Sequence, residues 1–261
     1  MINLESKDVA VVILAAGKGK RMNNPDMSKV MALLDAKPLI YHVLKEAEKL
    51  NPAEIILIVG HQKQSVIDYV STSFSDILYA EQNEQKGTGH AVMQTQDILR
   101  DFQGNVLILS GDVPLLSSVT LNKFIEFHYE SGSDLSVLST NAPNPYGYGR
   151  IIRDSNNKFL KIVEEKDATA DEKEINEINS GVYFVKSSIL FEALSSVSDN
   201  NAQGEYYLTD IIEILHNRGF KVEAFPGAVF EELQGVNSPD DLSMVSEYFY
   251  KRKREKIAEI N

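Results

Sequence analysis

Three nearly unbroken apolar runs, residues 9–14, 54–60 and 105–112, constrain this chain of 261 residues more than any other feature. Each has the length of a strand, and none alternates apolar with polar as a half-exposed strand must. Such runs belong to parallel strands covered on both faces. Helical patterns lie between them. Pro38 opens a helical stretch through Leu50 with Ile40, Val43, Leu44 and Ala47 on one face. Residues 64–70 read as a short helix, 77–80 as a strand and 88–99 as another helix. This βαβα order predicts an α/β fold with a doubly wound, mostly parallel sheet, in which ligands bind outside the carboxyl ends of the strands.

The second half is less regular. A helix at 120–129 and a strand at 134–140 are followed by short strands at 146–152, 159–164 and 181–185. Residues 167–177 are acidic and polar, a loop with a helical turn. Helices at 187–194 and 206–217, a strand at 220–225 and an amphipathic helix from Pro239 to about Ile257 complete the chain. One domain over 1–238, with β insertions in its second half, is therefore expected, with residues 239–261 as a C-terminal helix.

Composition removes several classes of function. No apolar run approaches the ~20 residues of a membrane span. The N-terminal residues are polar and lack a signal-peptide core, which leads us to expect a cytoplasmic protein. With no cysteine, disulfides, thiolate zinc sites and cysteine nucleophiles are ruled out. The net charge of −12 argues against nucleic-acid binding. A basic run, Lys251-Arg-Lys-Arg-Glu-Lys256, reads as part of a solvated last helix whose cations complement its C-terminal dipole.

Against that acidic background, the first strand delivers the chain into Gly17-Lys-Gly19-Lys-Arg21, with Lys29 shortly after. Glycines let backbone N–H groups approach phosphates, and the cations offset their charge. Met22 stands where a Rossmann fingerprint needs a third glycine, and no P-loop is present. A plain βα turn with solvated lysines is the alternative. Asp112, just after an apolar strand, suits either a turn or a magnesium-binding carboxylate. The segment Gln82-Asn-Glu-Gln-Lys-Gly-Thr-Gly-His90 offers amides for reading a flat heterocycle, or else a helix-capping turn at Thr88. His90 has no second ligand at metal spacing. Residues 200–210 are dense in polar and aromatic groups, as in a carbohydrate-contacting loop. No histidine is placed as an evident base, and chemistry on a pre-ionised nucleophile needs none.

Taken together, the motifs resemble the nucleotidyltransferase domain of GlmU-type N-acetylglucosamine-1-phosphate uridylyltransferases. They run in matching order: Leu14-Ala-Ala-Gly-Lys-Gly-Lys-Arg-Met, Lys29-Val, Glu84-Gln-Lys-Gly-Thr-Gly-His-Ala, Gly111-Asp-Val-Pro-Leu, Gly147-Tyr-Gly-Arg-Ile, Ile162-Val-Glu-Glu-Lys-Asp-Ala, Glu177-Ile-Asn-Ser-Gly, Asn201-Ala-Gln-Gly-Glu-Tyr-Tyr-Leu-Thr-Asp and Gly235-Val-Asn. The first is shared by many sugar nucleotidyltransferases, and the later ones point to the N-acetylglucosamine branch.

The resemblance implies a Rossmann-like nucleotidyltransferase fold and transfer of UMP from UTP to N-acetylglucosamine 1-phosphate, a step toward cell-envelope precursors. It implies that Leu14, Ala15, Ala16 and Gly17 hold uridine, with Gln82, Gly87 and Thr88 reading the base. Arg21 and Lys29 would bind the triphosphate, and Asp112 and Asn237 would hold Mg²⁺. Gly149, Glu164, Asn179, Tyr207 and Thr209 would bind the sugar. Lys20 replaces a usual Thr or Ser. The bifunctional enzymes continue into a left-handed β-helix acetyltransferase domain that this sequence does not reach; it is either a stand-alone uridylyltransferase, with a separate acetyltransferase as a candidate partner, or a truncated form. The rival readings are a uridylyltransferase for another sugar 1-phosphate and a non-catalytic nucleotide-sugar-binding regulator.

Overall fold

The structure is a computed structural model that describes residues 8–17, 19 and 27–260. Strand β1 (Val9–Ala15) is followed by a small hairpin, β2 (Leu33–Leu34) and β3 (Lys37–Pro38), and by α1 (Leu39–Glu48). Then come β4 (Glu54–Val59), α2 (Lys63–Ser73), β5 (Ile77–Glu81), α3 (Thr88–Met93), β6 (Asn105–Ser110), α4 (Ser118–Ser131) and β7 (Leu135–Asn141). The second half adds β8 (Arg150–Arg153), β9 (Phe159–Val163), α5 (Ala170–Lys173), β10 (Glu177–Lys186), α6 (Ser187–Leu194), α7 (Asp210–Asn217), β11 (Val222–Phe225) and α8 (Pro239–Ile260).

The main sheet has the order β11-β7-β10-β6-β1-β4-β5, and β8 and β9 form a hairpin attached to β10. Along this path only β10 runs against its neighbours. The mostly parallel, doubly wound sheet expected from the sequence is present, and the β8–β9 hairpin is an insertion of the kind expected in the second half. From β1 the chain winds outward through β4 and β5, then returns to β6 on the other side of β1. That reversal opens a crevice at the carboxyl ends of β1 and β6. Pairing of Leu14 with Ser110 puts the residues after both strands side by side.

Alternate residues of the central strands enter two cores. Val12, Ile56 and Ile108 belong to one, and Val11, Ile13, Leu57 and Leu107 to the other. Burial on both faces explains why these runs carry no polar alternation. A third cluster joins Val245 of α8 to Leu34, Leu39, Leu115 and Val236, which seats the helix on the body.

Several elements depart from expectation. The helix expected over 88–99 ends at Met93, because Thr95 turns its hydroxyl back onto Val92 O at 2.8 Å and the amides of Thr95 and Gln96 make tight i−3 bonds. Residues 146–149 form a turn, and the strand begins at Arg150. The helix expected from Tyr206 begins at Asp210. The last turn of α8 holds no basic residue, so its cations do not complement the C-terminal dipole. Instead Arg252 pairs with Glu232 at 3.1 Å and donates to Leu115 O, and Lys253 pairs with Asp35. Among the described residues no helix is long and apolar enough to cross a membrane.

One buried group makes stability depend on pH. His128 is 2% exposed, contacts Ser136 Oγ at 2.9 Å and lies edge-on to Phe184. Burial, with a smaller push from Lys186, lowers its pKa to about 4. The unfolded imidazole titrates near 6.5, so between these values the unfolded state binds more protons. Its contribution to stability is complete above pH 6.5 and is lost as pH falls toward 4, amounting to about 2 kcal/mol by pH 5. The difference in unfolding free energy between wild type and His128→Asn should therefore shrink by that amount between pH 7.5 and 5. A constant difference in urea titrations would rule this out. Asp210, which burial raises to about 6, has the opposite sign but is common to both proteins and cancels.

Candidate functional site

The crevice at the carboxyl ends of β1 and β6 is a cavity of about 520 Å³. Leu14, Ala15, Ala16 and Gly17 line it, and among the described residues a Cβ added at Gly17 would meet nothing within 4 Å. Gln82, Gly87 and Thr88 line it from the loop that joins β5 to α3. Gln82 is 3% exposed, and its Nε2 donates to Gly87 O at 3.0 Å and contacts His90 Nδ1 at 3.1 Å. His90 therefore supports the loop, and burial followed by the charge of Lys86 lowers its pKa. Gly87 has φ +110°, and a Cβ there would lie 2.5 Å from Tyr206 O, so the position demands glycine. Thr88 does not cap α3. Its hydroxyl accepts from Leu208 N at 3.0 Å, which ties this loop to a distant one.

Lys29, Asp112 and Asn237 line the same cavity. Lys29 stands on a single 3₁₀ turn, Lys29–Met31, anchored by buried Val30. Asp112 follows β6, and its carbonyl accepts Val236 N at 2.9 Å. Asn237 precedes α8, and its amide N–H donates to Asp241 Oδ2 at 2.9 Å in the first turn of that helix. The Lys29 ammonium donates to the Asp112 carboxylate and, at 3.0 Å, to Asn237 Oδ1. Two oxygens from different loops thus converge on one cation. A carboxylate and an amide oxygen are hard donors that suit a small divalent cation whose other positions go to water and phosphate. Among the described residues no group of three His, Cys, Asp or Glu could hold a metal. Arg21, with Lys18, Lys20 and Met22, lies outside the described residues.

The residues expected to bind a sugar gather beside this cavity. Gly149 O accepts Asn179 N at 2.9 Å, and a Cβ on Gly149 would lie 3.5 Å from Glu164 Oε2 and 2.8 Å from Ile162 Cγ2. Thr209 Oγ1 donates to Glu164 Oε1 at 3.1 Å. Burial raises the Glu164 pKa, and the Thr209 hydroxyl opposes that rise. Tyr207 OH donates to Asp167 Oδ2 at 3.2 Å, and Asp167 N donates to Glu164 O at 3.0 Å. Asn179 lies at a bulge in β10, where its Oδ1 accepts Gly181 N and its Nδ2 donates to Tyr183 OH. Gly89 N to Tyr206 O and Tyr206 N to Lys86 O join the start of α3 to the segment that carries Tyr207 and Thr209.

Sequence reasoning did not single out Ser110, Glu205, Asp167 or Tyr183. Ser110 and Glu205 line the cavity, and Asp167 and Tyr183 hold Tyr207 and Asn179. Glu205 and Asp167 did lie inside motifs with a family resemblance, the only signal available for them.

Comparison with known proteins matches the nucleotidyl transferase family to residues 10–230. The chain is 45% identical over 241 residues to the bifunctional protein GlmU of Latilactobacillus sakei, covering 92% of this chain and 51% of that protein. It is 43% identical to the bifunctional protein GlmU of Enterococcus faecalis over 94% of this chain and 52% of that one. The chain spans about half the length of the curated relatives it matches. A crystal structure of UDP-glucose pyrophosphorylase complexed with UDP-glucose superposes with a TM-score of 0.76 at 19% identity, over 93% of this chain and 98% of that one. A putative glucose-1-phosphate thymidylyltransferase from Bacillus anthracis superposes with a TM-score of 0.73 at 18% identity, over 92% and 94%.

Proposed function

The chain belongs to the nucleotidyl transferase family, and from that premise we propose that it transfers UMP from UTP to N-acetylglucosamine 1-phosphate, releasing pyrophosphate. The observation that carries this reading is one cavity in which Lys29, Asp112 and Asn237 converge beside the backbone from Leu14 to Gly17, with Gly149, Glu164, Asn179 and Thr209 clustered in a second group of contacts. Similarity to GlmU proteins over more than nine tenths of the chain supports the choice of nucleotide and sugar.

In this reading the backbone from Leu14 to Gly17 holds the uridine, and Gln82, Gly87 and Thr88 face its base. A phosphate oxygen of the sugar attacks the α-phosphorus of UTP in line. One P–O bond forms as the bond from the α-phosphorus to the β-bridging oxygen breaks, and pyrophosphate leaves with that electron pair. The nucleophile is largely ionised near pH 7, because a phosphate monoester has a second pKa of about 6, so no general base is required. The residues position the reactants and offset charge. Lys29 and Arg21 would neutralise the triphosphate, and Asp112 and Asn237 would hold Mg²⁺. Bound there, Mg²⁺ would act as a Lewis acid that lowers the repulsion between the two polyanions. Gly149, Glu164, Asn179, Tyr207 and Thr209 would orient the sugar.

Residues 1–238 form the catalytic unit in this proposal, and 239–261 the helix that follows it. The substrates point to the cytoplasm as its place of action. An acetyltransferase is a candidate partner, since an N-acetylated substrate must come from an N-acetylation step. The test is pyrophosphate release with Mg²⁺ across a grid of nucleoside triphosphates and sugar 1-phosphates. The expected result is highest kcat/KM with UTP and N-acetylglucosamine 1-phosphate. Background rates with that pair would reject the proposal, and a higher value with glucose 1-phosphate would reassign the sugar.

A further inference from the structure

Arg150 is 1% exposed, and its charge is not used by either pocket. Its guanidinium forks between three segments. Nη1 donates to Tyr148 O, while Nη2 donates to Glu165 Oε2 at 2.7 Å and to Lys173 O at 3.4 Å. Glu165 Oε2 also accepts Gly147 N at 3.1 Å. Among the described residues the Arg150 Nε has no hydrogen-bond partner. Burial pulls the Glu165 carboxyl up, but Arg150 and the Gly147 N–H outweigh it and leave its pKa below the ordinary value.

The placement of this pair is informative. Arg150 is bonded in sequence to Gly149, and Glu165 to Glu164. Tyr148 O and Gly147 N, the two backbone groups that the pair grips, lead into Gly149. A Cβ at Gly149 would stand 2.8 Å from Ile162 Cγ2, so its packing on that strand leaves little slack, and Glu164 Oε2 is the next neighbour at 3.5 Å. We infer that Arg150 and Glu165 are positioning residues, a clamp that sets Gly149 against Glu164 and so tunes affinity for the sugar 1-phosphate without touching it. This inference rests on the proposed sugar role of Gly149 and Glu164. The nucleotide cavity is lined by other segments, so the clamp should act on one substrate and spare the other.

The test uses Arg150→Lys and Glu165→Gln in the whole chain. Lysine keeps the charge but replaces the planar fork, whose Nη1 and Nη2 reach Tyr148 O and Glu165 separately, with a single nitrogen on a shorter stem. Glutamine keeps the shape and removes the ion pair. Misplacement of a substrate-positioning group by about 1 Å can cost up to ~100-fold, so KM for N-acetylglucosamine 1-phosphate should rise about tenfold or more in Arg150→Lys. KM for UTP should stay near wild type. Amide hydrogen exchange over residues 143–151 should quicken in both variants, while exchange in β1 and β6 stays unchanged. Equal changes in both KM values, no change in either, or loss of the fold in both variants would overturn the clamp. If the wild type turns over none of the tested substrates, the functional proposal fails. Exchange over 143–151 still decides the clamp in that case, and unaltered exchange rejects it.

Discussion

Replacing Asp112 with alanine is expected to lower kcat for pyrophosphate release about 100- to 1000-fold, the cost of removing one preorganised charge-stabilising group, with the fold retained. The fold should survive because the Asp112 side chain is bonded to Lys29 rather than to the core, and its backbone carbonyl, which holds Val236 N, remains. The Asp112→Asn variant separates the causes. It keeps the shape and an oxygen donor but removes the charge. On the proposed metal role, Asp112→Asn should be partly rescued by raising the divalent cation concentration, and Asp112→Ala much less. Near-normal turnover by Asp112→Ala in excess chelator-free Mg²⁺ would remove Asp112 from the machinery. A variant with altered thermal unfolding would point to a structural role instead.

Lys29→Ala should lose turnover to a similar extent, about 100- to 1000-fold, but with a different signature in metal binding. In the structure the Lys29 ammonium occupies the point where Asp112 and Asn237 Oδ1 converge. A cation entering that point must displace it. Without nucleotide, Lys29→Ala should therefore bind Mn²⁺ more tightly than wild type, as read by titration calorimetry or paramagnetic relaxation. With UTP, where lysine would move onto phosphate, the advantage should vanish and nucleotide affinity should fall. Weaker Mn²⁺ binding by Lys29→Ala in the absence of UTP would refute this arrangement. Lys29→Arg is not a conservative control, because a planar fork does not replace a compact ammonium between two oxygens.

Much of the fold was legible in order. The runs at 9–14, 54–60 and 105–112 become β1, β4 and β6, since a strand covered on both faces tolerates no polar alternation. The ends of elements were less legible. The helix from Thr88 stops at Met93 because the Thr95 hydroxyl competes for Val92 O, and apolar spacing does not record such competition. The basic run in α8 looked like a complement to a helix dipole. It is used by Asp35, Glu232 and Leu115, partners more than a hundred residues away in two cases.

The candidate site divides in the same way. Glycines at 17, 87 and 149 could be noticed because each stands where backbone must be open or a Cβ would collide, a local requirement that leaves a local mark. Motif order suggested Lys29, Asp112 and Asn237, but nothing in their spacing said that one ammonium would meet both oxygens. Thr88 looked like a cap and instead holds Leu208 N. Arg150 and Glu165 lay inside two of the quoted motifs, but nothing in those motifs said that the two would pair.

By itself the sequence determined the α/β layering, the strand that enters a glycine-bearing loop, and the net negative charge that argues against nucleic-acid binding, since periodicity and charge count can be read from the chain without its fold. The tertiary structure alone decided which loops face one another, how Lys29 bridges Asp112 after β6 and Asn237 before α8, and where the buried Arg150 guanidinium meets Glu165. Those are hydrogen bonds and ion pairs between groups far apart in the chain. Their strength depends on distance and burial, and neither exists until the sheet has brought the loops together.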